Sequence, residues 1–157
     1  MNLTRYESPL GSILLAADQT GLTGLWFVGQ RYFPSFSDGV FFENETPVLT
    51  EAKHWLSLYF SGKEPDFLPP LHPQGSSFRQ AVWNVLLTIP RGQTMTYGEI
   101  ARRLNVRSAQ AVGGAVGHNP ISILIPCHRV VGSDGSLTGY AGGLARKEWL
   151  LHLEGAR

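Results

Sequence analysis

The sequence predicts an α+β protein: a small N-terminal antiparallel β-sheet domain with a helix, followed by a mainly helical C-terminal domain containing a helix-turn-helix. Three observations predict it. Short apolar runs bounded by Gly and Pro fill positions 3–28, whereas apolar residues recur at helical spacing afterwards. A proline-rich stretch, Pro65 through Pro73, interrupts the chain and reads as a linker. Charge changes sign across that break: residues 1–75 carry four Lys/Arg against eight Asp/Glu, a net of −4, and residues 76–157 carry nine against four, a net of +5. The domains are therefore drawn at 1–72, a scaffold, and 73–157, a part suited by its charge to a polyanion.

The first elements are strands at Leu3–Tyr6 and Ser12–Ala17 around the turn Ser8-Pro9-Leu10-Gly11, and a third at Gly24–Val28. Residues 29–45 show no period and are read as loop. Thr46 and Pro47 have the N-cap and first-turn character of a helix whose Ala52, Trp55, Leu56, Tyr59 and Phe60 share a face, and Gly62 stops it. His54 and His72 are the only groups in this part with a reading beyond scaffold, as local contacts. After the linker, Ser76 or Ser77 caps a helix with Phe78, Val82, Val85, Leu86 and Ile89 on one face, ended by Pro90-Arg91-Gly92. Thr96 and Glu99 stand at capping-box spacing and start a short helix through Ile100, Ala101 and Leu104. A turn at 105–107 and a cap at Ser108 lead into a second short helix whose side chains, Ala109 to Val116, are nearly all small. Two short helices and a tight turn are the layout of a helix-turn-helix. Small residues on the second fit close approach to a nucleic-acid groove and fit close helix–helix packing equally well.

Composition narrows the class. A chain of 157 residues with 43% hydrophobic and 16% charged residues is globular rather than disordered. Its single cysteine forms no internal disulfide and no Cys-rich zinc pattern, so neither metal nor cofactor is expected, and a free thiol suits a reducing compartment. The N-terminus has no apolar signal core and no apolar run approaches membrane-spanning length. A cytoplasmic location and no membrane partner are the expectations.

The single cysteine carries the chemistry. It lies in Ile123-Leu124-Ile125-Pro126-Cys127-His128-Arg129-Val130-Val131. An isolated Cys is by default a small buried hydrophobe. A core strand would not place His128 and Arg129 beside its apolar side chains, however, and a neighbouring His or Arg lowers a thiol pKa. Cys127 is therefore read as a nucleophile and His128 as its base.

With Gly117-His118-Asn119-Pro120 before that run and Gly139-Tyr140-Ala141-Gly142-Gly143 after it, the chain resembles the O6-alkylguanine-DNA alkyltransferase family. Thr96-Tyr97-Gly98 and Lys147-Glu148-Trp149-Leu150-Leu151 extend the match from about Phe78 to Gly155; the first seventy or so residues match loosely, through Ser8-Pro9-Leu10-Gly11 and Tyr59-Phe60-Ser61-Gly62. The resemblance implies repair of double-stranded DNA containing O6-alkylguanine, by irreversible transfer of the alkyl group to Cys127, after a helix-turn-helix enters the minor groove and the base flips. It implies that His128 acts through a water, that Glu154 orients His128, and that Tyr97 gives a proton to the leaving guanine. Backbone groups of Cys127 and Val130 would read the base edge and the Ala141 amide its oxygen, with the Tyr140 loop closing the pocket. Asn119 would tie the helix pair to the active segment. Arg102, Arg103, Arg107, Ala111, Gly114 and Arg129 complete the expected DNA and substrate contacts. At the position where most members carry an arginine that fills the vacated stack, this chain has Gln110, which lacks the planar charged guanidinium.

Three activities compete on the sequence: a single-turnover alkyltransferase acting as a monomer, a lesion sensor that binds without transfer, and a cysteine hydrolase. Relatives of the sensor kind replace the cysteine, so Cys127 favours transfer. A hydrolase would have no use for the basic helix pair.

Overall fold

Pro9 and Leu10 close a two-residue hairpin loop between Ser8 and Gly11, where Gly11 takes φ +111° and the Ser8 hydroxyl donates to the Gly11 carbonyl at 2.7 Å. That hairpin joins β1 (Asn2–Ser8) to β2 (Gly11–Ala17), and β3 (Leu22–Phe27) pairs antiparallel on the other side of β2. The computed structural model describes residues 1–34 and 42–157. The segment 29–45, read as loop, lies partly outside the described residues; its end forms β4 (Phe42–Glu43), which pairs parallel with β1. The sheet order is thus β3-β2-β1-β4, three antiparallel strands plus one short parallel edge. Two residues are too few to show a period in sequence.

Helix α1 (Pro47–Phe60) lies across this sheet and buries Leu49, Ala52, Trp55, Leu56 and Tyr59 against Ile13, Leu15 and Phe27. Each fully buried aliphatic side chain contributes about 1.5–3 kcal/mol of transfer free energy. Gly62 stops the helix as expected: it takes φ +91°, its N–H bonds the Tyr59 carbonyl, and the Lys63 N–H reaches Leu58. That double bond satisfies carbonyls the last turn leaves orphaned.

Ser76, not Ser77, caps α2 (Ser77–Leu86), accepting from the Arg79 N–H. The helix ends at Leu86, a turn before Pro90, so Ile89 packs into the core from a turn rather than from the helical face. Then come β5 (Met95–Thr96), α3 (Tyr97–Arg103), α4 (Ala109–Gly117), a 3-10 turn at Cys127–Arg129, β6 (Val130–Val131) and α5 (Leu144–Leu153). The parallel pair β5–β6 was not legible in sequence, again because it is two residues long. Thr96 and Ser108 both cap as their spacing predicts.

The proline-rich stretch is not a free tether. Leu22 donates to the Pro70 carbonyl at 2.8 Å and accepts from the His72 N–H at 2.7 Å, so the stretch is stitched to β3. His72 Nδ1 also meets Asp18 at 2.7 Å, and His54 stacks on Phe67, so both histidines are local contacts. Further along β3, Leu25 donates to Pro120 and accepts from Ser122. The N-terminal sheet thereby holds the segment that leads directly to Cys127. Among the described residues, no helix is long and apolar enough to cross a membrane.

Candidate active site

Two tight backbone turns deliver Cys127 into the core. Leu124 N–H bonds the Ser122 carbonyl at 2.8 Å around Ile123, whose φ is +71°, and Cys127 N–H bonds the Ile125 carbonyl at 2.7 Å around Pro126. Both are three-residue γ-turns, and the first has the rare, strained hand. A β-branched residue in the left-handed region costs about 1–3 kcal/mol and persists only where surrounding bonds over-determine it. Here Leu25 holds Pro120 and Ser122 on one side. Buried Asn119 holds the other, its Nδ2 donating to Ile125 at 2.8 Å and Ile121 at 3.3 Å while its Oδ1 accepts from the Ile121 N–H. Asn119 stands just past His118, the C-cap of α4, so it links the helix pair to the segment that carries Cys127.

Cys127 is only 4% exposed, and burial pushes its thiol pKa up, opposed by the Asn119 amide and the Lys147 ammonium. The sequence expectation that His128 and Arg129 lower it is thus corrected. Both side chains turn away to one carboxylate. His128 Nε2 lies 2.7 Å from Glu154 Oε2; Arg129 donates from Nε to Oε1 at 2.8 Å and from Nη2 to Oε2 at 3.1 Å. The third guanidinium nitrogen, Nη1, donates to the Ile89 carbonyl at 2.7 Å, so each nitrogen of this guanidinium has a partner inside the protein. Tyr59, from α1, gives Glu154 a fourth bond at 2.6 Å.

Burial alone would raise the Glu154 pKa, but the His128 and Arg129 hydrogen bonds more than offset it and hold the carboxyl well below the usual carboxylate range. Burial lowers the His128 pKa despite Glu154, so the imidazole is neutral at pH 7. Glu154 accepts the proton on Nε2, which leaves Nδ1 as the basic nitrogen. Nδ1 is buried and has no hydrogen-bond partner among the described residues.

Tyr97 opens α3, and its hydroxyl donates to the Thr138 carbonyl at 3.0 Å; burial raises its pKa. Burial also raises that of Tyr140 well above the ordinary value, and a thiolate at Cys127 adds to both shifts. Lys147, fully buried on α5, donates to Thr138 at 2.8 Å and Gly139 at 3.3 Å and has no carboxylate partner among the described residues. Burial lowers its pKa to about 8. Val130 N–H bonds the Cys127 carbonyl, and the Ala141 carbonyl accepts from Arg31. A cavity of about 130 Å³ opens between Arg31, Tyr32, Tyr97, Gly114, Tyr140 and Ala141.

Of the two readings of the small-residue helix, close packing is met on one face, and the other face is exposed. Val112, Ala115 and Val116 pack inward, and the Ala115 carbonyl accepts from the Trp83 indole at 2.8 Å. Gln110, Ala111 and Gly114 stay exposed, and a Cβ on Gly114 would meet nothing within 4 Å. Arg102, Arg103 and Arg107 are exposed beside them; Arg103 also donates to Thr88. Sequence reasoning missed Tyr59, Arg31 and Tyr32, and met Lys147 only as part of a motif. Tyr59 follows the apolar period of α1, which marks it as core and says nothing of its hydroxyl.

A buried thiol followed by an imidazole that a carboxylate orients, in a domain carrying an exposed basic helix pair, makes Cys127 the candidate nucleophile and the helix pair a candidate surface for a polyanion. Residues 77–156 match the family description 6-O-methylguanine DNA methyltransferase, DNA binding domain, and residues 1–73 match 6-O-methylguanine DNA methyltransferase, ribonuclease-like domain. The chain is 47% identical over 152 residues to a methylated-DNA–protein-cysteine methyltransferase of Methanosarcina acetivorans, covering 96% of each chain. It is 43% identical over 153 residues to that of Haemophilus influenzae, covering 96% of this chain and 84% of the relative. The structure of Mycobacterium tuberculosis OGT in complex with DNA superposes with a TM-score of 0.88 at 41% identity, covering 99% of this chain and 94% of the other. The chain belongs to the 6-O-methylguanine DNA methyltransferase family.

Proposed function

We propose that this protein repairs double-stranded DNA by moving the alkyl group of O6-alkylguanine irreversibly to Cys127, once per molecule and without metal or cofactor. The observation that carries this reading is the buried Cys127 followed by a buried His128 whose Nε2 lies 2.7 Å from the Glu154 carboxylate. Burial keeps the thiol protonated, so displacement needs a base at hand. The thiol proton passes through a water to His128 Nδ1. The sulfur forms a bond to the alkyl carbon as the carbon–O6 bond breaks, and the Tyr97 hydroxyl neutralises the departing guanine. The backbone groups of Val130 and Ala141 and the ring of Tyr140 hold the base.

In this reading α3 and α4 form a helix-turn-helix that enters the minor groove along Ala111 and Gly114, with Arg102, Arg103 and Arg107 on phosphates. Residues 1–72 are the scaffold, residues 73–157 carry the chemistry, and the protein acts as a cytoplasmic monomer. Flipping the base costs a few kcal/mol of unstacking, least for a damaged pair. Exposed Gln110 fills the gap with a long polar side chain only. Gln110→Arg is therefore expected to tighten duplex binding and raise the methyl-transfer rate by about three- to tenfold, with a steeper salt dependence of affinity. A variant that reacts more slowly than wild type sinks that role.

The test of the function is intact mass after mixing with a duplex bearing one O6-methylguanine. One added methyl group per chain, mapped to Cys127 and missing in Cys127→Ala, is the expected result. Tight lesion binding with unchanged mass would replace the transferase by a sensor. Continued release of product would make it a hydrolase.

A further inference from the structure

Tyr32 holds a backbone conformation that an aromatic residue rarely takes, with φ +62°. Two neighbours lie against its ring. The His118 ring stacks on it with centroids 4.0 Å apart and an interplanar angle of 26°, and the Arg31 guanidinium lies 4.7 Å from its centroid. Both flanks are pinned: Arg31 N–H bonds the Ala141 carbonyl at 3.0 Å, and His118 Nδ1 bonds the Gly114 carbonyl at 2.8 Å. This N-terminal residue thus forms one wall of the cavity whose other walls include Tyr97 and Tyr140, the two phenols whose pKa values a thiolate at Cys127 would raise.

We propose that Tyr32 is a specificity-determining residue that limits the size of the O6-substituent able to reach Cys127. The inference rests on the alkyl-transfer reading above. At about 130 Å³ the cavity falls short of the roughly 300 Å³ at which small-molecule sites begin. A base with its substituent therefore enters only if a wall gives way. Gly114 and Gly117 contribute no side chain, and the Tyr97 and Tyr140 rings are anchored in the core. Tyr32 is 47% exposed and supplies the bulk on its side, its ring edge lying 4.0 Å from where a Gly117 Cβ would stand.

The experiment compares second-order rates of Cys127 alkylation by duplexes carrying O6-methylguanine or O6-benzylguanine, in wild type, Tyr32→Gly and Tyr32→Phe. Glycine accepts the left-handed backbone, so the first variant removes the ring without new strain, and its thermal midpoint verifies folding. The expected result is a benzyl-to-methyl rate ratio raised by about tenfold or more in Tyr32→Gly, the scale on which pocket bulk discriminates, and a ratio near wild type in Tyr32→Phe. A ratio in Tyr32→Gly within about twofold of wild type overturns the proposal. Wild type that accepts no methyl group at all overturns the alkyl-transfer reading, and this inference with it.

Discussion

Glu154→Gln is expected to cost about 3–5 kcal/mol of stability and to slow methyl transfer about a hundredfold. The carboxylate is buried and receives hydrogen bonds from His128, Arg129 and Tyr59. Glutamine keeps the shape but removes the charge, leaving a guanidinium in the core without its counter-charge. It also brings two N–H donors to a site where every neighbour donates, so the His128 tautomer is no longer fixed and Nδ1 is no longer the basic nitrogen. Stability and rate separate in the double variant Glu154→Gln with Arg129→Met, which removes both charges: part of the stability returns and the rate does not. Urea titration and single-turnover kinetics read both quantities. A loss below about 1 kcal/mol in the single variant would mean that the network is not fully desolvated.

The same residue sets the acid limb. The Glu154 pKa is depressed in the folded state, so the unfolded chain takes up its proton first. The contribution is complete above about pH 4.5 and drains away as pH falls through the folded value. His128, depressed from 6.5, acts in the same sense at higher pH: its burial as a neutral ring costs stability progressively below 6.5. Glu154→Gln flattens the first of these slopes and, by removing the bond and charge that raise the His128 pKa, extends the second to lower pH.

The fold was legible where its signals are local. Thr96, Ser108 and Gly62 announce helix ends because capping depends on a residue and its immediate neighbours. The hairpin at Ser8-Pro9-Leu10-Gly11 is legible for the same reason. Cys127 and His128 stand out because a thiol and an imidazole interrupt an apolar run. What the next two side chains do was misread, since adjacency in sequence does not set direction: His128 Nε2 and the Arg129 guanidinium face Glu154. Glu154 itself, at the end of the last helix, looks like a surface charge, and only the family resemblance singled it out. Tyr59 lies 95 positions from the carboxylate it serves. No local pattern encodes a contact at that range.

Lys147→Met separates function from stability by moving them in opposite directions. An ammonium fully buried against two carbonyls, with no carboxylate among the described residues to pair it, is a poor choice for a stable core. Its pKa falls from 10.5 to about 8, which places the cost of keeping it charged at about 3 kcal/mol. Methionine has similar length and no charge, so the variant is expected to be as stable as wild type or more so at pH 7. As pH rises from about 8 to 10.5, the folded protein has released this proton while the unfolded chain still holds it, so wild-type stability climbs relative to the variant. Activity goes the other way. The Lys147 charge opposes the burial that raises the Cys127 pKa, and its bonds to Thr138 and Gly139 hold the carbonyls on which Tyr97 rests. Without it the thiolate is harder to form and the Tyr97 hydroxyl loses its fixed position, and methyl transfer is expected to fall about ten- to a hundredfold. Lys147→Arg, which keeps the charge in a larger group, loses stability through overpacking instead. A Met variant that is destabilised yet fully active would reverse the assignment and make Lys147 a structural residue. A Met variant that is stable but slow shows a charge kept in the core for what it does to a sulfur, at a cost in stability that local packing alone would never favour.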